Sequence, residues 1–127
     1  MNRTAAFRQL GADLANSRWS WSAKTADGKA VVVTLWQDEF RGRAGELTYT
    51  RPSSEGWFVG PGYHEFMSNL AWARDHLEGL VRVVVATKKE PGSTTPRIKD
   101  CDPRPDLVMK VTHLDNELGA FALTQVG

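Results

Sequence analysis

The chain has 127 residues and a formal net charge of +1, with 41% hydrophobic and 24% charged residues. This balance fits one globular domain, residues 1–127, and argues against a strongly basic protein that binds nucleic acid regardless of its sequence. The longest apolar runs are too short to span a membrane, so no membrane partner is expected, and a lone cysteine, Cys101, indicates a reducing cytoplasm.

The first predicted element is a short helix that begins at Thr4 as its N-cap. Phe7, Leu10 and Leu14 follow it at helical spacing. The next stretch, WSWSAKTADGKAVVVTLWQDEF, predicts a β-hairpin, because its Asp-Gly pair at 27–28 favours a tight turn between two strands.

The hairpin pattern places several tryptophans on one face of a sheet. With a loop of two or four residues, Trp19 lies opposite Trp36, Trp21 lies opposite Thr34, and all four side chains share a face. A loop of three residues would move Trp36 to the other face. The aromatic face therefore depends on the length of the turn.

The remainder of the chain predicts an edge strand, a longer helix, a buried strand, a surface loop and a second hairpin. These elements cover residues 46–50, 63–78, 80–87, 88–105 and 106–126 in that order. Together they predict an α+β fold with a single twisted, mainly antiparallel sheet, on which one long and one short helix pack.

The tryptophan face has two interpretations. Large aromatic side chains mostly pack into cores, so the rings of Trp19, Trp21 and Trp36 could simply contact the helices. They could instead form a pocket that stacks a flat ligand such as a base. Trp57 and Tyr63, on either side of the Gly-Pro-Gly turn, would extend that pocket.

Polar groups follow the predicted tryptophan strand directly. Gln37 and Asp38 could accept or donate hydrogen bonds at the edge of a stacked ring, as a carboxylate accepts from the exocyclic amine of cytosine. Asp38 and the adjacent Glu39 would point to opposite faces of an extended strand, which argues against a catalytic carboxylate pair. The alternative is a solvated strand end.

Five cations lie close to the ends of three predicted strands, where they could position a phosphate backbone or serve as ordinary solubilising charge. They are Arg41, Arg43, Arg51, Lys88 and Lys89. No cofactor and no metal site are predicted, because the three histidines and the cysteine lack the close spacing of zinc ligands.

The segments VVVTLWQDEF and NLAWARDHLEGLVRVVVAT, joined by a polar insert, resemble the N-terminal modified-DNA-binding domain of McrA-type methylcytosine-dependent restriction endonucleases. The resemblance covers about half the chain. It implies recognition of a modified base in an aromatic pocket, with Trp36 at the matching strand end. The chain lacks the paired cysteines and following histidine of an HNH nuclease, so the resemblance implies a reader without nuclease activity.

These observations favour a non-catalytic recognition module for a planar group, with a nucleic-acid base as the leading ligand. Two alternatives remain open. One is a small metabolic enzyme or ligand-binding protein whose pocket lies between the sheet and the GPGYHEF segment. The other is a protein-interaction module that uses the tryptophan face, since tryptophan and arginine are frequent at binding hot spots. The sequence leaves the oligomeric state open.

Overall fold

The chain folds around one mixed β-sheet, and the structure, a computed structural model, describes residues 1–53, 61–92 and 97–127. The described helices are α1 (Arg3–Gln9) and α2 (Pro61–His76), with a short 3-10 turn at Gln37–Glu39. The strands are β1 (Ser22–Lys24), β2 (Val31–Trp36), β3 (Thr48–Arg51), β4 (Leu80–Lys88), β5 (Ile98–Asp115) and β6 (Ala120–Gln125).

The six described strands lie in the order β1-β2-β4-β5-β6-β3. β2 and β4 pair in parallel, and the other four neighbouring pairs are antiparallel. The predicted α+β class is confirmed, as is the mainly antiparallel sheet with a short and a longer helix. Within the described ranges, neither helix is long and apolar enough to cross a membrane.

The first hairpin has the predicted register. Ala23 pairs with Val32, and the amide of Thr34 donates to the carbonyl of Trp21 at 2.8 Å. The loop contains the four residues 26–29, closed by a 2.9 Å bond from the Thr25 amide to the Ala30 carbonyl. The predicted facing of Trp19 and Trp36 is wrong, because β1 begins only at Ser22 and Trp19 lies in the preceding turn.

The short helix differs from its prediction at both ends. Its N-cap is Asn2, not Thr4, and the Asn2 side chain accepts from the Ala5 amide at 2.8 Å. The helix stops at Gln9 because Gly11 has a φ of +83°, a left-handed conformation that a helix cannot continue through. Leu14 therefore lies outside the helix, although it still packs against the core.

The predicted surface loop over 88–105 is wrong for its second half, because residues 98–105 belong to β5. Two prolines lie in this part of the strand, and proline has no amide N–H to donate to a ladder. The segment tolerates Pro103 because β6 pairs only with the later part of β5, from Met109 to Asp115. A register shift in the pairing with β4 separates the two halves.

Two apolar layers sandwich the sheet. α2 covers one face with Phe66, Met67 and Leu70, which pack on Val31, Val33 and Leu35 of β2. α1 covers part of the other face, where Phe7 belongs to the same buried cluster as Val32 and Trp36. Consecutive residues of β2 pack alternately in the α2 layer and the α1 layer because successive side chains of a strand point to opposite faces. The tryptophan face is therefore the face that receives α1.

Candidate functional site

Two tryptophans and two cations form a continuous row on the α1 side of the sheet, which we call the aromatic row: Arg3, Trp21, Trp36 and Lys88. The ring centroids of Trp21 and Trp36 lie 5.4 Å apart at an angle of 55°. The guanidinium carbon of Arg3 lies 4.6 Å from the centroid of Trp21, and the Lys88 Nζ lies 5.3 Å from that of Trp36. Both distances lie within the range of cation–π attraction.

The members of the row differ in exposure. Trp36 is 9% exposed, so its ring has little surface left for a ligand. Trp21 is half-buried and packs against both apolar layers, since it lies where β1 meets the helices. Trp21 is thus the ring of this pair that reaches solvent, while Trp36 supports it from within.

Two buried polar atoms beside Trp21 have no hydrogen-bond partner among residues 1–53, 61–92 and 97–127: Arg3 Nε and Thr34 Oγ1. Arg3 is held in place at its other end, where its NH2 group donates to the carbonyls of Ser17 and Arg18 at 2.9 and 3.2 Å. Burial lowers the pKa of the Arg3 guanidinium. Thr34 is 4% exposed and lies between Val32 and Trp36 on β2.

Beyond Trp36 the chain forms a 3-10 turn, and this turn changes the predicted geometry of the carboxylates. Asp38 and Glu39 do not diverge as they would on an extended strand. Lys88 Nζ contacts Asp38 Oδ1 at 3.2 Å and Glu39 Oε2 at 3.0 Å. The contact forms because β2 and β4 are parallel neighbours, so residues that follow one strand meet the end of the other.

Two further side chains bind Glu39. The Tyr49 hydroxyl donates to Glu39 Oε1 at 3.0 Å and accepts from the Trp36 amide at 3.2 Å, so it closes the end of β2. Arg51 lies 3.6 Å from the same carboxylate oxygen. Burial and the charge of Glu39 raise the pKa of Tyr49 above its ordinary value, so the hydroxyl stays protonated as a donor. We call Asp38, Glu39, Tyr49, Arg51 and Lys88 the polar cluster.

Opposing effects act on Lys88. Desolvation lowers its pKa, but hydrogen bonds and charge from Glu39 and Asp38 outweigh desolvation, and the net pKa is raised. The raised pKa keeps the ammonium group charged beside the two carboxylates.

The predicted phosphate-binding cations lie in different settings. Lys88 and Arg51 contact carboxylates of the polar cluster, and Arg43 pairs with Glu46 at 3.0 Å on the surface. Arg41 is exposed and donates to the backbone carbonyls of Asp38 and Phe40, both at 2.9 Å. Lys89 is exposed next to Lys88. The structure brings Arg51 and Lys88 together on one carboxylate.

The remaining predicted site residues are spread more widely. Trp19 is half-buried, and its carbonyl lies against the first turn of α2. Tyr63 belongs to the core under α2, and Gln37 is exposed in the 3-10 turn. Trp57 lies outside the described residues.

A groove of about 420 Å³ lies at the other end of β2, away from the aromatic row. It lies between the end of α1 and the hairpin loop, with Leu10, Asp27, Lys29 and Arg82 among its lining residues. Arg82 donates to the Pro105 carbonyl at 2.9 Å, and Asp27 accepts from Thr25 at 2.7 Å and from the Lys29 amide at 2.9 Å. These groups therefore already have partners within the fold.

Sequence reasoning missed Arg3, Thr34 and Tyr49. The register of the hairpin put Thr34 on the tryptophan face, so a hydroxyl among apolar residues was the available signal. No local pattern signals Arg3 or Tyr49, because both reach the site through contacts between distant parts of the chain. No protein-family model, curated protein or solved structure matches this chain.

Proposed function

We propose that the protein is a non-catalytic recognition module that holds a planar group, a nucleic-acid base, against Trp21. The observation that carries the proposal is the combination at this ring: partial exposure, the Trp36 ring packed against it and the Arg3 guanidinium over one of its faces. Stacking on aromatic and guanidinium planes is the commonest way in which proteins hold an unstacked base.

The two tryptophans take different roles in this proposal. Trp21 provides the stacking surface, and the buried Trp36 fixes its orientation from within. A rigid ring loses little conformational freedom when it binds a ligand, so a supported Trp21 binds more tightly than a free one.

In this proposal the polar cluster and the cations near it provide the polar contacts to the base and its phosphates. Asp38 is the most exposed carboxylate of the cluster, at 42%, and it is available to accept from the exocyclic amine of a base. Arg41 and Lys89 are exposed cations near the same ends of β2 and β4, and in this proposal they attract the phosphates. The resemblance to McrA-type domains supports a modified base as the ligand, and the lone cysteine, Cys101, supports a cytoplasmic location.

The test is binding of fluorescein-labelled single-stranded oligonucleotides with cytosine or 5-methylcytosine, measured by anisotropy at two salt concentrations. We expect the wild-type protein to bind, and binding to weaken as salt rises because phosphate contacts release counterions. We expect Trp21→Leu to reduce affinity about tenfold, since one stacked base is worth about 1–3 kcal/mol. Trp21→Phe, which preserves more of the packing, should retain an intermediate affinity.

Trp72 offers a matched control. It is also half-buried and also carries a cation, Lys24 Nζ at 4.9 Å, but it lies on α2 across the sheet. Trp72→Leu should leave affinity unchanged. Absence of binding by the wild-type protein to every oligonucleotide, or equal losses in the Trp21 and Trp72 variants, would contradict the proposal.

A further inference from the structure

The groove beside the first hairpin loop is a cavity that the proposed function does not use. It holds about 420 Å³ and lies between the end of α1 and the loop. This volume falls within the range of about 300–1,000 Å³ that is usual for small-ligand pockets. Two contacts join its walls: Ala12, just after α1, pairs with Thr25, and the Thr25 amide donates to the Ala30 carbonyl. The groove is therefore formed before any ligand arrives.

Arg82 brings a positive charge into this groove from the sheet beneath it. It lies on β4 beside Val32 of β2, and Val32 and Val84 both belong to the α1 layer. Because side chains alternate along a strand, Arg82 shares the face of Val84. One guanidinium nitrogen donates to the Pro105 carbonyl at 2.9 Å, which orients the group. This acceptor is neutral, so it leaves the charge of Arg82 uncompensated.

The other charged residues that line the groove are Lys29 and Asp27. Asp27 accepts from the Thr25 hydroxyl at 2.7 Å and from the Lys29 amide at 2.9 Å. These hydrogen bonds lower the pKa of Asp27, so it is ionised at neutral pH. Neither Arg82 nor the Lys29 ammonium group forms an ion pair with a carboxylate of the described residues. Two cations and one carboxylate leave the groove with an excess positive charge.

From this shape and charge we infer that the groove binds a small organic carboxylate with a short apolar body, independently of the proposed function. One carboxylate neutralises the excess charge, whereas a phosphate dianion would reverse it. The guanidinium of Arg82 has further N–H donors, and its planar fork matches two carboxylate oxygens. The apolar body contacts the aliphatic part of the lining, at Leu10, Ala26 and Ala30.

The end of α1 also determines how such a ligand lies in the groove. The last carbonyls of a helix carry partial negative charge, which repels an anion. Leu10 directly follows α1, so this side of the groove disfavours the carboxylate and suits the apolar body. The carboxylate therefore lies on the side of Arg82.

The test is an NMR titration of the isotope-labelled protein at neutral pH with phenylacetate. We expect saturable shifts of groove amide signals, such as those of Ala26 and Ala30, with half-saturation in the millimolar range. Phenylacetamide has the same shape without the charge and should bind about tenfold more weakly. Acetate has the charge without the apolar body and should also bind more weakly.

Variants locate the bound carboxylate. Arg82→Gln should weaken phenylacetate binding about tenfold, because it removes the charge and the fork together. Arg82→Lys keeps the charge alone and should give an intermediate affinity. The control is Lys110→Gln, which removes an exposed cation outside the groove and should bind as wild type does. Trp21→Leu should also bind phenylacetate as wild type does, since the groove does not include the aromatic row.

The inference is wrong if phenylacetate gives no saturable shift, or if phenylacetamide or acetate binds as tightly. It is also wrong if a folded Arg82→Gln variant, recognised by its dispersed spectrum, keeps full affinity. Shifts centred on the Trp21 indole signal would place the probe on the aromatic row and would contradict the groove site. If Arg82→Gln does not fold, the three probes on the wild-type protein still decide. None of these results depends on oligonucleotide binding.

Discussion

Gly62 shows at the scale of one residue how closely α2 approaches the turn that precedes β1. A Cβ atom built on Gly62 would lie 2.3 Å from the carbonyl oxygen of Trp19, a backbone atom that cannot rotate away. The absence of a side chain at this position therefore lets the start of α2 rest on the segment that leads to Trp21.

Gly62→Ala should destabilise the protein, although replacing glycine by alanine in a helix usually stabilises it. Within a helix, alanine normally stabilises relative to glycine by up to about 1 kcal/mol. Here we expect a loss of about 2 kcal/mol, because the backbone must shift to remove the overlap. Urea unfolding checks the sign, with Ser68→Ala on the exposed side of the same helix as control. A stabilised Gly62→Ala variant would show that α2 can move away from Trp19 at no cost.

Glu65 carries a second prediction at the residue scale. It is half-buried on α2, and its Oε1 has no partner within the described residues. Burial raises its pKa, against a smaller opposing effect of a hydrogen bond with Ser20. Because the folded-state pKa lies above the unfolded value of about 4.3, its contribution to stability is fully present below that value and is lost as pH rises through the folded pKa.

Glu65→Gln should therefore be more stable than wild type at pH 7, and this advantage should disappear below about pH 4. Thermal unfolding across this range measures the difference, and Glu117→Gln, at an exposed position, controls for the loss of one negative charge. An advantage that is the same at both pH values would show that ionisation of Glu65 plays no part.

At the scale of elements, the polar cluster joins the ends of β2, β3 and β4. Lys88 is 11% exposed and Glu39 is 28% exposed, so their 3.0 Å contact is screened less than a surface ion pair. The cluster also fixes the 3-10 turn that follows Trp36, because Glu39 is part of that turn. It therefore stabilises the strand end that carries the aromatic row.

Lys88→Met should cost about 1–3 kcal/mol of unfolding free energy, since it leaves two carboxylates without their shared cation. Glu39→Gln in the same background should recover part of the loss, which a double-mutant cycle measures as a coupling energy. Lys89→Met, at the exposed neighbouring position, should change stability by less than about 0.5 kcal/mol. Additive effects of the Lys88 and Glu39 variants would mean that the contact contributes nothing to the fold.

The Asp-Gly turn and the strand alternation sufficed to predict the register of the first hairpin, because both signals are local. The convergence of Asp38 and Glu39 on Lys88 could not be predicted, since it depends on the parallel pairing of residues 50 positions apart, such as Trp36 with Ala86. The prolines near 103 suggested a loop. The first half of β5 tolerates them because it pairs with β4 alone and is separated from the second half by a register shift, and neither feature can be recognised in the sequence.

At the scale of the whole molecule, the two faces of the sheet have different roles. The α2 layer buries the larger apolar cluster and holds the fold together. The α1 layer is smaller and contains the aromatic row, in which Trp21 is half-buried and Trp36 is buried. The central claim is that the exposed part of Trp21 receives the planar group.

An NMR titration tests that claim directly, because each tryptophan gives its own indole N–H signal in the folded protein. With the signals assigned by single Trp→Phe variants, we expect the 5-methylcytosine oligonucleotide to shift the Trp21 indole signal most and to leave the Trp72 signal in place. A Trp21 signal that stays fixed while the oligonucleotide binds would contradict the claim that Trp21 holds the base.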